Sequence, residues 1–341
     1  MAAIGDVARL AGVSKATASR ALSGRGSVAV ETRRRVEAAA ASIGFIASPD
    51  AASLVTGRTK NVGVIIPFVN RWFFGEVLEG IERALLTAGY DLTLYNLADR
   101  GPERERVFDF FLARKRVDAV IAVGVDLVET ELAGLEGRGK PVVSLGGSAP
   151  RSPRLAIDDA GAAVLATEHL LHLGHTRIAH LAGREADRSV ESVQGRRLRG
   201  FRSAMADAGL DPIAGATVRE TEMTLPGGYA AALQLLGHPA HRPSALFAAS
   251  DEVALGAMLA AERLGIAVPG DLSIVGIDGH EYAEMFGLTT VEQYPGEQGR
   301  VAVELVMRLL GETGAAEGAL DSSTPLPMRL VVRSSTTTAA R

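Results

Sequence analysis

From residue 61 onward the chain alternates between short apolar runs and longer amphipathic stretches, and that alternation limits the fold more than any other feature. The apolar runs fall at 62–66, 92–95, 119–123, 142–145, 178–181, 245–248 and 273–277. Helical periodicity occupies 73–88, 102–114, 160–173, 196–208, 227–236 and 252–264. Continuous apolar strands separated by helices imply parallel sheets covered on both faces. The number of units, in a chain of 341 residues, predicts two doubly wound lobes rather than one.

Composition narrows the class. Apolar residues make up 47% and charged residues 22%, as in a globular protein. There is no cysteine, so disulfides and thiolate metal sites are excluded. No apolar run is long enough to span a bilayer and the N-terminus lacks the apolar core of a signal peptide, which predicts a cytoplasmic protein without membrane contact. The net charge of −4 is unevenly spread: residues 1–58 carry +4 and the remainder −8. A basic head on an acidic body is expected when only the head meets phosphate, although a solvated helix face with spare arginines would look the same.

The head reads as three short helices without a strand, at 4–11, 15–23 and 31–43. Ala8 is small enough for a close helix approach, Gly12 supplies the turn, Val13 plugs the gap, and Ser14 caps the second helix. That spacing is a helix-turn-helix, with the second helix placed to enter a major groove. The residues expected to face DNA are Ser14, Lys15, Ala16, Thr17, Ser19 and Arg20. Lys15 and Ala16 stand at the end where base edges are read, Arg20 can pair with guanine, and Thr17 and Ser19 suit phosphate oxygens. A helical hairpin that binds protein is the competing reading. Further on, Ser48-Pro49-Asp50 starts a helix expected over 51–55, before a flexible connection.

The run Asp6-Val7-Ala8, Ala11-Gly12-Val13-Ser14, Thr17 and Ser19-Arg20 resembles the headpiece of the LacI/GalR family of bacterial repressors. The likeness continues through Glu31-Thr32-Arg33, Ile43-Gly44-Phe45, Val62 to Pro67, Phe73-Phe74, the 169–175 segment, Ser250-Asp251, Val275 to Asp278 and Leu288 to Val291. It implies an all-α helix-turn-helix headpiece followed by an α/β, two-lobed effector domain like that of periplasmic binding proteins. It implies a homodimer on a near-palindromic double-stranded operator. It also implies that Leu54 wedges between bases in the minor groove, though Leu54 could equally pack the hinge helix against its dimer mate. Phe73, Phe74, Arg197, Ser250 and Asp278 become the expected effector contacts, with Trp72 enlarging the aromatic wall. Read from the residues alone, they suit a core phenylalanine, a surface arginine and capping side chains equally well. A cation, a carboxylate and an aromatic face suit a polyhydroxylated ligand, so the effector is expected to be a sugar or sugar derivative. Several positions depart from the family pattern: Ala3, Ala18, Ala29, Ala47-Ser48 and Ala52. They put affinity, more than function, in question.

No catalytic constellation, cofactor or metal is expected. His169, His172 and His175 lie close in sequence, but His175 follows Gly174 in a loop and no cysteine assists, so they are read as structural. The glycines at 134, 137 and 139 precede a strand instead of following one, so they are not a dinucleotide fingerprint. The expected organisation is a headpiece at 1–46, a hinge at 47–60 and an effector and dimerisation domain at 61–341. Its first lobe takes about 61–159 with 291–320, and its second about 160–290 with 321–341. The expected function is a repressor whose operator affinity is set by the effector. The alternatives are a cytoplasmic sugar-binding protein without a DNA role and an enzyme on paired α/β lobes.

Overall fold

The computed structural model describes residues 3–23, 27–45, 58–97, 101–112, 116–147, 149, 151–184, 192–210, 218–312 and 325–339. The chain forms two compact units, Met1–Asn61 with Lys115–Asp118, and Val62–Arg114 with Ala119–Arg341.

The first unit contains α1 (Ile4–Leu10), α2 (Lys15–Ser23) and α3 (Val30–Ser42). Their core is built from small side chains: Val7, Ala8, Ala11, Ala18, Ala21, Val36, Ala39 and Ala40, with Val13 and Phe45 packed against it. Methyl-sized residues let three short helices approach closely, and packing supplies the stability that short helices lack alone. Gly12 takes the left-handed conformation at φ +64°, which ends α1 and redirects the chain. Arg35 of α3 donates to the Ala11 carbonyl at 2.9 Å, satisfying an end group of α1. The same unit holds the segment before the second unit's first strand. The Asp118 carboxylate accepts from the Thr59 amide and hydroxyl at 2.8 and 2.9 Å and from the Lys60 amide at 2.9 Å. The expected hinge helix at 51–55, and Leu54 with it, lies outside the described residues.

The second unit has two sheets. The first comprises β1 (Asn61–Ile66), β2 (Asp91–Asn96), β3 (Ala119–Val123), β4 (Val142–Leu145) and β5 (Arg154–Leu155), in the order β2-β1-β3-β4-β5. The second comprises β6 (Ile178–Gly183), β7 (Val218–Thr221), β8 (Ala245–Ala248), β9 (Ser273–Asp278), β10 (Thr289–Glu292) and β11 (Arg329–Val331), in the order β11-β10-β9-β8-β6-β7. Val62 pairs with Ala119 and Ile178 with Ala245, both in parallel register. The final β10–β11 pair is antiparallel. The strand order reverses beside β1 in one sheet and beside β6 in the other, and ligands of such sheets bind at the carboxyl ends there.

The helices are α4 (Trp72–Thr87), α5 (Pro102–Arg106), α6 (Glu129–Glu136), α7 (Asp159–His172), α8 (Val193–Asp207), α9 (Leu225–Leu236), α10 (Asp251–Arg263) and α11 (Pro295–Leu309). The stretch expected as one helix over 102–114 is α5 followed by a wider π-helical turn at Val107–Leu112. Phe108 and Leu112 are both buried, and a spacing of four does not distinguish the two helix types. No helix among the described residues is long and apolar enough to cross a membrane.

The chain leaves the second sheet after Glu292 and enters α11, which packs on α4 and on β3 and β4 of the first lobe. α4 and α11 meet through bare backbone. A Cβ on Gly80 would sit 2.0 Å from the Gly296 carbonyl oxygen, and one on Gly299 would sit 2.2 Å from the Val77 carbonyl oxygen. Gly75, on the same helix, has open space around it. Gly80→Ala should therefore force the helices apart and cost about 1–3 kcal/mol in urea unfolding. Gly75→Ala should be neutral or stabilising by up to about 1 kcal/mol, because alanine loses less backbone freedom in a helix. Equal effects of the two would show that the helices do not pack through this seam.

Candidate functional site

The face of α2 is the first candidate. Ser14 caps the helix, its Oγ accepting from the Thr17 amide at 3.1 Å and lying 2.9 Å from the Thr17 hydroxyl. Ser14, Lys15, Ala16 and Arg20 are exposed, whereas Thr17 and Ser19 are half-buried. Ala16 and Arg20 are one turn apart, as are Lys15 and Ser19, so the four share one side of the helix. The Arg20 Nε donates to the Ala16 carbonyl at 3.3 Å, which lays the guanidinium along that side. Arg9, the other basic residue near the turn, is paired with Asp6.

The second candidate lies at the carboxyl ends of the strands in the second unit. α8 carries two adjacent buried arginines, Arg196 and Arg197. Arg197 donates through Nε to Asp159 Oδ1 at 3.1 Å and through Nη1 to the Ala249 carbonyl at 2.5 Å. Its Nη1 lies 3.8 Å from Asp278 Oδ1. Arg196 donates to Asp159 Oδ2 through Nε at 3.2 Å and Nη2 at 2.8 Å. The Asp159 carboxylate is thus shared by two guanidinium groups. Ser250, next to Ala249, caps α10 by accepting from the Val253 amide at 3.3 Å.

Asp278 ends β9 with φ 141°, a conformation uncommon for a residue with a side chain, and is 6% exposed. The turn that follows is held by Asp251, whose carboxylate accepts from the Gly279 and His280 amides at 2.9 and 2.8 Å and from the Thr290 hydroxyl at 2.7 Å. Burial pushes Asp251 up to about 6 against those hydrogen bonds. Burial pushes Asp278 further, to about 8, against the attraction of Arg197. Burial thus favours the neutral form of Asp278, in which a carboxyl group can donate as well as accept.

Of the residues expected from sequence, the structure gathers Arg197, Ser250 and Asp278. Phe73 and Phe74 stand at the start of α4, with rings 5.4 Å apart at 83°. Phe74 covers the end of β3, where a Cβ on Gly124 would lie 2.7 Å from its ring. The α4 residue that reaches the second lobe is Trp72, stacked on His280 at 4.5 Å and 25°. Arg196 makes a second bridge, donating to the Gly146 carbonyl of the first lobe at 3.1 Å. Arg71, donating to the Met223 carbonyl, makes a third. Sequence reasoning missed Asp159 and Arg196. The adjacent pair Arg196-Arg197 was the available signal, and its burial, which requires an acid such as Asp159 beside it, is visible only in the structure. The histidines are structural partners: His169 Nε2 lies 2.9 Å from the Thr336 hydroxyl, and His175 lies 3.0 Å from the hydroxyls of both Ser244 and Ser273. Among the described residues no group of three or more His, Asp or Glu side chains is arranged to hold a metal.

The raised Asp278 carries a pH signature. The folded chain keeps its proton to higher pH than the unfolded chain does, so its contribution is fullest in acid and is lost as pH rises through about 8. Asp278→Asn retains an oxygen but cannot ionise. Its stability relative to the parent should improve between about pH 5 and about pH 9, by at least about 1 kcal/mol, the equivalent of a one-unit shift. Parallel melting profiles would show that Asp278 is ionised throughout.

Residues 3–48 match the model of bacterial regulatory proteins, lacI family, and residues 167–336 match a periplasmic binding protein-like domain. The HTH-type transcriptional regulator DegA of Bacillus subtilis (strain 168) is 33% identical over 338 residues, covering 97% of each chain. The crystal structure of the Lac repressor dimer bound to operator and the anti-inducer ONPF superposes with a TM-score of 0.83 at 28% identity, covering 98% of this chain and 99% of that one. A transcriptional regulator CelR–cellobiose complex superposes with a TM-score of 0.66 at 30% identity, covering 98% and 100%. A helix-turn-helix unit joined to a two-lobed α/β unit, matched along nearly its whole length by these regulators, places this chain in the LacI family of bacterial regulatory proteins.

Proposed function

We propose that this transcriptional regulator is a homodimeric repressor whose affinity for a near-palindromic operator is controlled by a sugar or sugar derivative. The observation that carries the effector reading is that Arg197 lies 3.8 Å from the buried Asp278 and donates to Ala249, next to Ser250, at the strand ends of the second lobe. Charged donors and acceptors held in place by buried ion pairs suit a ligand rich in hydroxyls, which both donates and accepts. The similar regulator solved with cellobiose supports a carbohydrate. The similar repressor solved as a dimer on operator supports the DNA partner and the dimer. Tyr282, Met285 and Phe286 are exposed on one turn, with Met285 80% exposed, an apolar cluster of the kind subunit interfaces cover. The organisation we propose is a headpiece at 1–46, a hinge at 47–60 carrying Leu54, and an effector and dimerisation domain at 61–341.

In this reading α2 supplies sequence recognition: Lys15, Ala16 and Arg20 meet base edges while Ser14, Thr17 and Ser19 meet phosphates. Arg20→Ala should cost about 1–3 kcal/mol in operator binding and relax specificity at one base pair, measured by gel shift against an operator library. Uniform weakening across the library would make Arg20 a phosphate contact instead.

An effector shifts the equilibrium between lobe arrangements only by its differential affinity for them. Arg197→Ala should therefore leave operator affinity within about threefold of the parent while abolishing the response to effector. The experiment is a thermal-shift screen of sugars, sugar phosphates and nucleosides, followed by calorimetry on parent and variant. Parental effector affinity in Arg197→Ala would move the site elsewhere. Loss of operator binding without effector would make Arg197 a folding residue.

A further inference from the structure

The passage from the second lobe to the first between β10 and α11 consists of Gln293 and Tyr294. Gln293 is 3% exposed, and both ends of its amide are engaged. Its Nε2 donates to Asp278 Oδ1 at 2.6 Å, and its backbone amide donates to the Asp278 carbonyl at 3.4 Å. Its Oε1 and its backbone carbonyl accept from Gln298 Nε2, at 3.2 and 2.6 Å. Gln298 lies in the first turn of α11 and is 4% exposed. Tyr294, between them, sits in the left-handed region at φ 51°, a conformation that a residue with a side chain keeps only where its surroundings enforce it.

We propose that Gln293 is the positioning residue that couples the Asp278 carboxyl group to the arrangement of the two lobes. The chain of contacts is continuous. Asp278 fixes the Gln293 amide, and Gln293 fixes Gln298 and hence the start of α11. α11 is seated on α4 through backbone contact at Gly80–Gly296 and Val77–Gly299, so the two helices move together. α4 begins at Trp72, which stacks on His280, two residues beyond Asp278. The relay therefore leaves the second lobe at Asp278, runs through the first lobe and returns to the second at His280. A ligand group that draws the Asp278 carboxyl toward itself makes the Gln293 amide follow or lose a buried hydrogen bond, and an unmet buried amide is costly. Two residues of linker cannot absorb that displacement, so it passes to α11 and α4. The biological meaning of the relay rests on Asp278 being an effector contact, as argued above; the relay itself is tested without effector.

The chain contains one tryptophan, so Trp72 emission reports the inter-lobe stack directly. The experiment measures acrylamide quenching of that emission in the full-length protein and in Gln293→Leu and Gln298→Leu, with circular dichroism to confirm the fold. With the relay cut, the stacked population falls, and the quenching constant should rise roughly twofold in Gln293→Leu and in the same direction in Gln298→Leu. A folded Gln293→Leu that melts earlier yet quenches like the parent would make Gln293 a packing residue only and overturn the proposal. If leucine prevents folding, Gln293→Met decides in the same terms, because its unbranched side chain has a similar length and offers no N–H to Asp278. Parental quenching in a folded Gln293→Met would overturn the proposal as well. Either negative result leaves operator binding and effector binding to be judged by their own assays.

Discussion

Two guanidinium groups sharing one buried carboxylate organise the effector-bearing unit. Arg196 and Arg197 sit side by side on α8, and neither can be taken out of water without an acid beside it. Asp159, at the start of α7, meets both, so the two helices are locked face to face. Losing Asp159 from such a group should cost about 3–5 kcal/mol, because both guanidinium groups would lose their shared carboxylate, whereas losing either arginine leaves Asp159 paired with the other. The same arrangement sets the chemistry of the site. With Asp159 engaged twice, Arg197 also stands at 3.8 Å from Asp278, where its attraction opposes the upward push of burial on that carboxyl group. The result is a buried carboxyl group next to a cation, pushed toward its neutral form, in which it can both give and receive hydrogen bonds.

The positions of these groups depend on backbone that tolerates close approach. Asp251 ties the turn after β9 by accepting three hydrogen bonds, and Gly276 leaves room for it: a Cβ there would lie 2.1 Å from Asp251 Oδ1. The turn in turn presents Asp278 toward α8 and His280 toward Trp72. A strained φ at Asp278 and another at Tyr294 flank the Gln293 amide, and the hydrogen bonds around that amide offset the strain. The positive-φ residues Asp278 and Tyr294 gather where the second lobe hands the chain to the first.

Much of this was legible before the structure. Strands were recognisable wherever they were apolar on both faces: Val62 to Ile66, Ala119 to Val123 and Ser273 to Ile277 are buried runs, and burial on both sides leaves an uninterrupted apolar signature. β7 and β11 were missed because edge strands keep polar residues such as Arg219, Glu220 and Arg329. α11 was missed because Gly296 and Gly299 weaken its helical signature, although those glycines are what let it lie against α4. The Gly12 turn and the Ser14 cap were legible because capping and left-handed turns depend on residue type within a few positions of chain.

Sequence alone thus determined the helix-turn-helix and the two doubly wound sheets, since each follows from local periodicity or local turn chemistry, while the resemblance to the family nominated Arg197, Ser250 and Asp278. Only the tertiary structure decided that Asp159 is shared by both arginines, that burial pushes Asp278 toward its neutral form, and that Gln293 joins it to the crossover. Those are properties of groups 15 to 119 residues apart in the chain, as in the Gln293–Asp278 pair and the Asp159–Asp278 pair joined through Arg197. Charge state and hydrogen-bond partnership are set by burial and by distance in space, and neither is encoded by spacing along the chain.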